Sequence, residues 1–156
     1  MAGLLAPAAG RLLWNGSAIA DDPDSHRARL HYVGHLDALK PALTIVENLA
    51  FYAALRGRPA DVRTLDAAMA AFRLDKLADM PARFLSQGQR RRTALARVLA
   101  APAALWLLDE PTLALDDAAL MQLGSVLTAH LAQGGYVIAA THAPIAVASS
   151  QRLELA

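Results

Sequence analysis

Three short groups of polar residues have the types and spacing needed to bind a phosphate group and to activate water. They are Ser86-Gln87-Gly88-Gln89, Asp109-Glu110 and Thr141-His142. The first group precedes a helix-forming segment, where serine is a favourable N-cap. The backbone N–H groups at a helix N-terminus attract anions, so Ser86, Gly88 and the first amides of this helix are candidates for an anion site.

The other two groups supply a metal ligand, a base and a side chain that can contact phosphate. Asp109 can bind Mg²⁺ directly or through water, and Glu110 can polarise an attacking water as general base. His142 can hydrogen-bond a terminal phosphate. Each group alone also fits a structural role: a capped helix start, a strand end that meets solvent, or a structural histidine. Their order and spacing together favour a nucleotide site.

The segments before these groups predict an α/β fold with a parallel sheet. The runs ALWLL (104–108) and YVIAA (136–140) are unbroken and apolar, as expected for parallel strands that are buried on both faces. LHYVGH predicts a further strand that ends at His35. Since ligands bind beyond the carboxyl ends of parallel strands, we expect all three polar groups to meet at one edge of the sheet.

Capping patterns predict where the helices begin and end. Thr44-Ile45-Val46-Glu47 is a capping box, and the helix that it begins should end at Gly57. A second helix is expected over 62–72, where apolar residues recur at helical spacing. Ser86 should begin the helix that Pro102 ends.

The composition of the chain excludes one kind of metal site and argues against a nucleic-acid partner. The chain has 156 residues, no cysteine and a formal net charge of +1, so thiolate metal sites are excluded. A protein whose main partner is a nucleic acid usually carries a basic excess, and this one does not. We therefore interpret Arg90-Arg91-Arg92 as a solvated face that also neutralises nearby carboxylates, and we expect no nucleic-acid partner.

Three longer runs that contain these groups carry a resemblance to a known family. LSQGQRRRTALARVLA, LWLLDEPTLALD and VIAATH are similar to the second half of the ATP-binding-cassette (ABC) ATPase domain. The resemblance implies that Asp109 binds Mg²⁺, that Glu110 is the catalytic base and that His142 senses the γ-phosphate of ATP. It also implies a head-to-tail dimer of two ABC ATPase subunits. In that dimer Ser86, Gly88 and Gln89 would contact the nucleotide of the other subunit, and Asp116 would couple the two sites.

The sequence departs from the family pattern in two places. No GxxxxGK(S/T) loop occurs in the chain, although this loop supplies the amides and the lysine that hold the phosphates. We therefore expect an N-terminally truncated domain that begins inside the first helix and lacks the phosphate-binding loop and a central strand, so that ALWLL loses a neighbour. In addition, His35 occupies the position of the family's usual glutamine, which contacts Mg²⁺ and water.

The expected organisation is one partial domain over residues 1–156. Within it, 1–30 is the remnant of an N-terminal β subdomain, 36–100 is the helical region with the signature sequence, and 101–156 is the core from the DE strand to the switch histidine. The fold class is that of a P-loop NTPase-like ABC nucleotide-binding domain without its first strand and loop.

Within the family, YVGHLDALKPALTIVENLAFY is most similar to ATP-binding subunits of haem exporters in cytochrome c biogenesis. This resemblance implies an ATPase at the cytoplasmic face of the bacterial inner membrane, held there peripherally by membrane-embedded permease subunits that dock near residues 35–55. Two alternatives stay open. One is the ATPase of another small ABC exporter, and the other is a non-hydrolytic module that donates its signature sequence to a competent ATPase.

Overall fold

Three parallel strands form the centre of the molecule. The computed structural model describes residues 2–3, 5, 7–147 and 150–151. Strand β3 (Leu30–Val33) pairs with β4 (Leu105–Asp109), and β4 pairs in turn with β5 (Tyr136–Ala140). The sheet order is therefore β3-β4-β5, with β4 in the middle. A two-residue turn joins the short antiparallel strands β1 (Leu13–Trp14) and β2 (Ser17–Ala18), which precede this sheet.

Five α-helices surround the strands in the described part of the chain. They are α1 (Pro23–Ala28), α2 (Ile45–Leu55), α3 (Val62–Ala71), α4 (Gln87–Ala100) and α5 (Asp117–Ala132). Helices α2, α3 and α4 pack against one another, and α4 also contacts β3. Short 3₁₀ turns at Asp75–Leu77 and Ala82–Phe84 lead from α3 into α4. Among the described residues, no helix combines the length and the apolar character needed to cross a bilayer.

Alternation along the strands divides the core between the two faces of the sheet. Trp106 and Leu108 of β4 belong to the large core beneath the helices, together with Val33 of β3. Leu105 and Leu107 point the other way and form a smaller cluster beside the β1–β2 hairpin. All four of these β4 side chains are buried, so the predicted burial of this strand on both faces is confirmed.

The helix starts follow the predicted caps. Thr44 and Glu47 form a reciprocal capping box at α2, in which the Glu47 N–H donates to Thr44 Oγ1 and the Thr44 N–H donates to Glu47 Oε2. Ser86 begins α4 in the same way, and Asp116 begins α5. Asp22 also caps α1, a short helix that the polar composition of 21–29 did not indicate.

Three predictions about the strands are wrong. Strand β4 does not lose a neighbour, because β3 and β5 flank it on both sides. Strand β5 was expected to be buried but lies at an edge of the sheet. Tyr136 is 57% exposed and Ile138 43% exposed because the described chain places no strand on their far side. Strand β3 ends at Val33 rather than at His35.

One buried histidine lies between the sheet and the helices. His31 on β3 is fully buried, and its Nε2 donates to the carbonyl oxygen of Ala101. Its Nδ1 accepts from the Tyr52 hydroxyl at 3.3 Å, and the two rings stack. Burial lowers the pKa of His31 to about 4, because the charged imidazolium would lose its water.

This histidine should make the fold sensitive to mild acid. An unfolded histidine has a pKa of roughly 6.5, so between there and about pH 4 the unfolded chain binds a proton that the folded chain does not. Stability therefore falls as the pH drops through this window, and we expect a loss of about 2 kcal/mol in the free energy of unfolding between pH 7.5 and pH 5. Urea unfolding at the two pH values measures it.

The matched control is His31→Phe, which keeps a ring against Tyr52 but cannot titrate. It should remove most of the pH dependence even if the variant is less stable at pH 7.5. A smaller slope of the same sign should remain from His130, whose pKa burial also lowers. An unchanged slope in His31→Phe would contradict the assignment.

Candidate functional site

The carboxyl ends of all three parallel strands lie side by side. Val33 at the end of β3 pairs with Leu108, and Asp109 at the end of β4 pairs with Ala140 at the end of β5. The residues that follow these strands therefore emerge at one edge of the sheet, which we call the carboxyl edge. The polar groups Asp109-Glu110 and Thr141-His142 both lie there, as the sequence predicted.

Glu110 and His142 are in direct contact at this edge. Glu110 Oε1 lies 3.3 Å from His142 Nε2, and Glu110 Oε2 accepts from the backbone N–H of His142 at 3.4 Å. The carboxylate is 25% exposed and the imidazole is 99% exposed, so a water or phosphate can approach both groups. A carboxylate beside a histidine can accept a proton from water while the imidazole binds a phosphate oxygen.

The backbone of Glu110 is held in an unusual conformation. Its φ angle is 46°, in the left-handed region that a residue with a side chain seldom occupies. Its N–H donates to the carbonyl oxygen of Ala140 at 2.7 Å, which ties the turn after β4 to the end of β5. Strained backbone of this kind persists only where surrounding contacts hold it, and it is frequent at functional sites.

A threonine pair forms a second link between the loops after β4 and β5. Thr112 Oγ1 and Thr141 Oγ1 lie 3.0 Å apart, and the N–H of Ala143 donates to Thr141 Oγ1 at 3.2 Å. Thr112 was not among the predicted site residues. Its position two residues after Glu110, within the same turn, was the available signal.

The N-terminus of α4 is ordered by a capping box. The Gln89 N–H donates to Ser86 Oγ at 3.2 Å, and the Ser86 N–H donates to Gln89 Oε1 at 2.8 Å. The Arg90 N–H donates to the Ser86 carbonyl oxygen, so the helix repeat begins there. The backbone N–H groups of Gln87 and Gly88 lie in the first turn, where they have no partner within the helix and can bind an anion.

Gly88 also marks a close approach between α4 and the loop before α5. A Cβ atom at Gly88 would lie 2.8 Å from the carbonyl oxygen of Ala114, so glycine allows this contact. Ala114 has a φ of 60° and lies in the LALD segment that ends at Asp116. Asp116 Oδ1 accepts from the Ala119 N–H at 2.8 Å, so in this chain its carboxylate caps α5.

The interpretation of the arginine cluster as a solvated face is wrong for its central member. Arg91 is 2% exposed, and its guanidinium donates to the carbonyl oxygens of Gly34, Asp109 and Glu110. It also pairs with Asp37 at 3.3 Å. A helical pattern identifies which residues face the core but not which strand ends those residues meet, so these backbone acceptors could not be predicted.

The remaining two predicted site residues differ in exposure. His35 follows β3 by two residues and is exposed. Asp109 is half-buried at the end of β4. Within the described residues, no group of three or more His, Asp or Glu side chains could by itself hold a metal ion. Mg²⁺, however, commonly takes one or two carboxylates and completes its shell with phosphate oxygens and water, and Asp109 with Glu110 fits that donor set.

Comparison with known proteins places these features in a family. The family model for the ABC transporter matches residues 1–113. The cytochrome c biogenesis ATP-binding export protein CcmA of Paramagnetospirillum magneticum is 54% identical over 99% of this chain and 72% of its own length. A relative of the same name from Rhodospirillum rubrum is 53% identical over 97% of this chain, and this chain spans 64% of that relative.

A solved structure shares the fold. It is a dimeric ATP-binding cassette in a post-hydrolysis state, bound to ADP and Pi, with a TM-score of 0.78 and 26% identity. The match covers 91% of this chain and 66% of that one. The α/β nucleotide-binding fold expected from the sequence is therefore confirmed.

Proposed function

Because the chain belongs to the ABC transporter family, we propose that it is the ATP-binding and ATP-hydrolysing subunit of an export complex for cytochrome c biogenesis, with haem as the cargo. Its similarity to two ATP-binding export proteins of that name supports the proposal. The observation that carries it is the contact of Glu110 with His142 at the carboxyl edge, since this pair can both activate water and bind a phosphate.

Each side chain then has one chemical task. Glu110 accepts a proton from the attacking water, and His142 orients that carboxylate and hydrogen-bonds the γ-phosphate of ATP. Asp109 would hold Mg²⁺, which would neutralise charge on the phosphates when it is bound. His35, next to the end of β3, would contact the same water or metal shell.

The start of α4 serves a nucleotide held by a second subunit. The capped helix presents the amides of Gln87 and Gly88, with Ser86 and Gln89 beside them, to phosphate oxygens. A head-to-tail dimer brings this start to the carboxyl edge of the partner. The dimeric neighbour bound to ADP and Pi supports such an arrangement, and Asp116, near the contact of Gly88 with Ala114, would link the two sites.

The membrane partners would dock on the segment from residue 35 to residue 55. Three large apolar side chains are exposed there: Leu36 at 79%, Phe51 at 44% and Leu55 at 71%. Phe51 and Leu55 lie one turn apart on α2, and apolar side chains exposed side by side mark interaction surfaces in many proteins. We propose that permease subunits cover them and hold the chain peripherally at the cytoplasmic face of the inner membrane.

A non-hydrolytic module is the second candidate function. The signature helix and the LALD segment, which it would need, are both present. Such a module would donate its signature sequence to a competent ATPase without hydrolysing ATP itself.

One experiment separates the two functions. A completed chain is made by joining a segment that contains a GxxxxGK(S/T) loop ahead of this sequence. We expect the completed chain to hydrolyse ATP only when Mg²⁺ is present, and to do so faster with its membrane subunits. The control replaces the loop lysine by alanine. A completed chain that stays inactive with its membrane subunits, while the 156-residue chain accelerates a competent relative, would favour the non-hydrolytic module.

A further inference from the structure

The buried guanidinium of Arg91 joins the ends of two strands to one helix. We propose that Arg91 is a positioning residue for ATP hydrolysis: it fixes the backbone of Glu110 relative to the loop after β3. This inference rests on the proposed function, because it concerns the residue assigned there as the base.

The hydrogen bonds of Arg91 are divided between the two strand ends. Nη1 donates to the carbonyl oxygen of Gly34 at 2.9 Å and to Asp37 Oδ1 at 3.3 Å. Nη2 donates to the carbonyl oxygens of Asp109 and of Glu110, the latter at 2.8 Å. One planar group therefore spans the distance between the loop after β3 and the turn after β4, which is a geometry that guanidinium can satisfy and ammonium cannot.

These contacts meet the strained turn at Glu110. The left-handed φ of Glu110 disfavours this turn, and four contacts oppose its relaxation. The N–H is held by Ala140 and the carboxylate contacts His142. The carbonyl oxygen accepts from Arg91 and from the N–H of Leu113 at 3.1 Å. Of these, only the contact with Arg91 comes from the helical side of the sheet, so its loss should let the turn and the carboxylate shift.

The neighbouring arginines of the cluster do not reach this turn. Arg90 donates to the carbonyl oxygen of Leu85, and Arg92 donates to that of Phe72 at 3.0 Å. Both bonds lie within the helical region, so they stabilise α4 and its packing on α3. Arg92 is therefore a matched control: it is adjacent, has the same side chain and also donates to backbone oxygens.

The ion pair with Asp37 extends the link to the proposed docking segment. Asp37 lies two residues after His35 and next to the exposed Leu36. A displacement of this loop would move Asp37 and Gly34, which both accept hydrogen bonds from Arg91. The shift of Arg91 would in turn displace the carbonyl oxygen of Glu110. Arg91 thus provides a physical route by which a bound membrane subunit could change the position of the base.

The first test compares Arg91→Met with Arg92→Met in the completed chain. Methionine keeps an apolar stem of similar length but donates no hydrogen bond. We expect Arg91→Met to lower kcat about 10- to 100-fold and to leave the KM for ATP within about threefold of the wild-type value. The reason is that a small misplacement of a reacting group reduces turnover more than binding. Arg92→Met should change kcat less than about threefold once both proteins are shown to be folded by thermal melting.

Asp37→Ala tests whether the loop acts through Arg91, because alanine removes the acceptor of the Nη1 hydrogen bond. If the loop does act through Arg91, Asp37→Ala lowers kcat in the wild-type background and has no further effect in Arg91→Met. Equal effects of Asp37→Ala in both backgrounds would contradict the link, and so would equal kcat values for Arg91→Met and Arg92→Met.

Hydrogen exchange tests the same link without turnover. Amides of residues 34–38 and 109–113 should exchange at least about tenfold faster in Arg91→Met and not in Arg92→Met. If the completed wild-type chain fails to hydrolyse ATP, the proposed function fails, but the exchange result still decides whether Arg91 holds the turn. Unchanged exchange in both segments would overturn the inference.

Discussion

Replacing Glu110 by glutamine should abolish turnover and leave ATP binding intact. In the completed chain we expect Glu110→Gln to reduce kcat at least about 100-fold, because a general base contributes roughly 10² to 10⁴ to such reactions. The amide oxygen of glutamine can still accept from the backbone N–H of His142, so the loop after β5 should keep its position. Steady-state ATPase assays and equilibrium binding of ATP measure the two quantities.

A second carboxylate supplies the control for this substitution. Glu47 lies in the capping box of α2, and glutamine can accept the same hydrogen bond from the Thr44 N–H there. Glu47→Gln should therefore hydrolyse ATP within about twofold of the wild type. If Glu110→Gln behaves like Glu47→Gln, Glu110 is not the base.

Replacing Ser86 by alanine should cause the second large effect. We expect Ser86→Ala in the completed chain to lower kcat about 100-fold, the usual result of removing one preorganised hydrogen-bond donor from developing phosphate charge. The substitution also removes the N-cap of α4, which costs about 1 kcal/mol of stability on its own. ATPase assays and thermal melting must therefore be measured on the same preparations.

The chain contains a matched control for the cap. Thr44→Ala removes the equivalent hydroxyl from the capping box of α2, which lies outside the carboxyl edge. It should reduce the melting temperature by a similar amount and leave kcat nearly unchanged. Gly88→Ala is a poorer probe, because the added methyl would collide with the carbonyl oxygen of Ala114 whatever the role of Gly88. Equal kcat values for Ser86→Ala and Thr44→Ala would limit Ser86 to a capping role.

The local features of the fold were predictable because they depend on residues close in sequence. The capping boxes at Thr44 and Ser86 each need only a hydroxyl and a carboxylate or amide three residues later. The unbroken apolar run before Asp109 identified β4 as a strand buried on both faces. Since parallel strands end at a common edge, the same patterns predicted that Glu110 and His142 would meet.

What the sequence did not predict depends on the order of strands and on contacts between distant backbones. Burial of β5 was inferred from its apolar residues. Its actual exposure depends on which strand lies beside it, and the spacing of apolar residues does not determine the order of strands in a sheet. Arg91 looked like part of a charged surface because arginine is usually exposed. Its burial is possible only because four oxygen acceptors from two strand ends converge on one guanidinium.

The close contact between Gly88 and Ala114 also joins two parts of the backbone that are distant in sequence, so it could not be predicted either. Nothing in LSQGQ or LALD alone indicates that the two segments touch, since residues 90–112, which include β4, separate them along the chain. The contact arises because α4 and the turn after β4 both lie at the carboxyl edge. It places the two segments assigned to the dimer interface in one continuous surface.

We propose that Ser86 acts on an ATP that another subunit holds. The most direct measurement is the ATPase rate of a mixture in which the 156-residue chain is added to a completed chain that carries Ser86→Ala. Because the short chain has no phosphate-binding loop, any gain in rate must come from the ATP of the completed subunit. We predict that the wild-type short chain and its Thr44→Ala variant raise the rate at least tenfold, whereas its Ser86→Ala variant does not. Equal rates with all three short chains would contradict the claim.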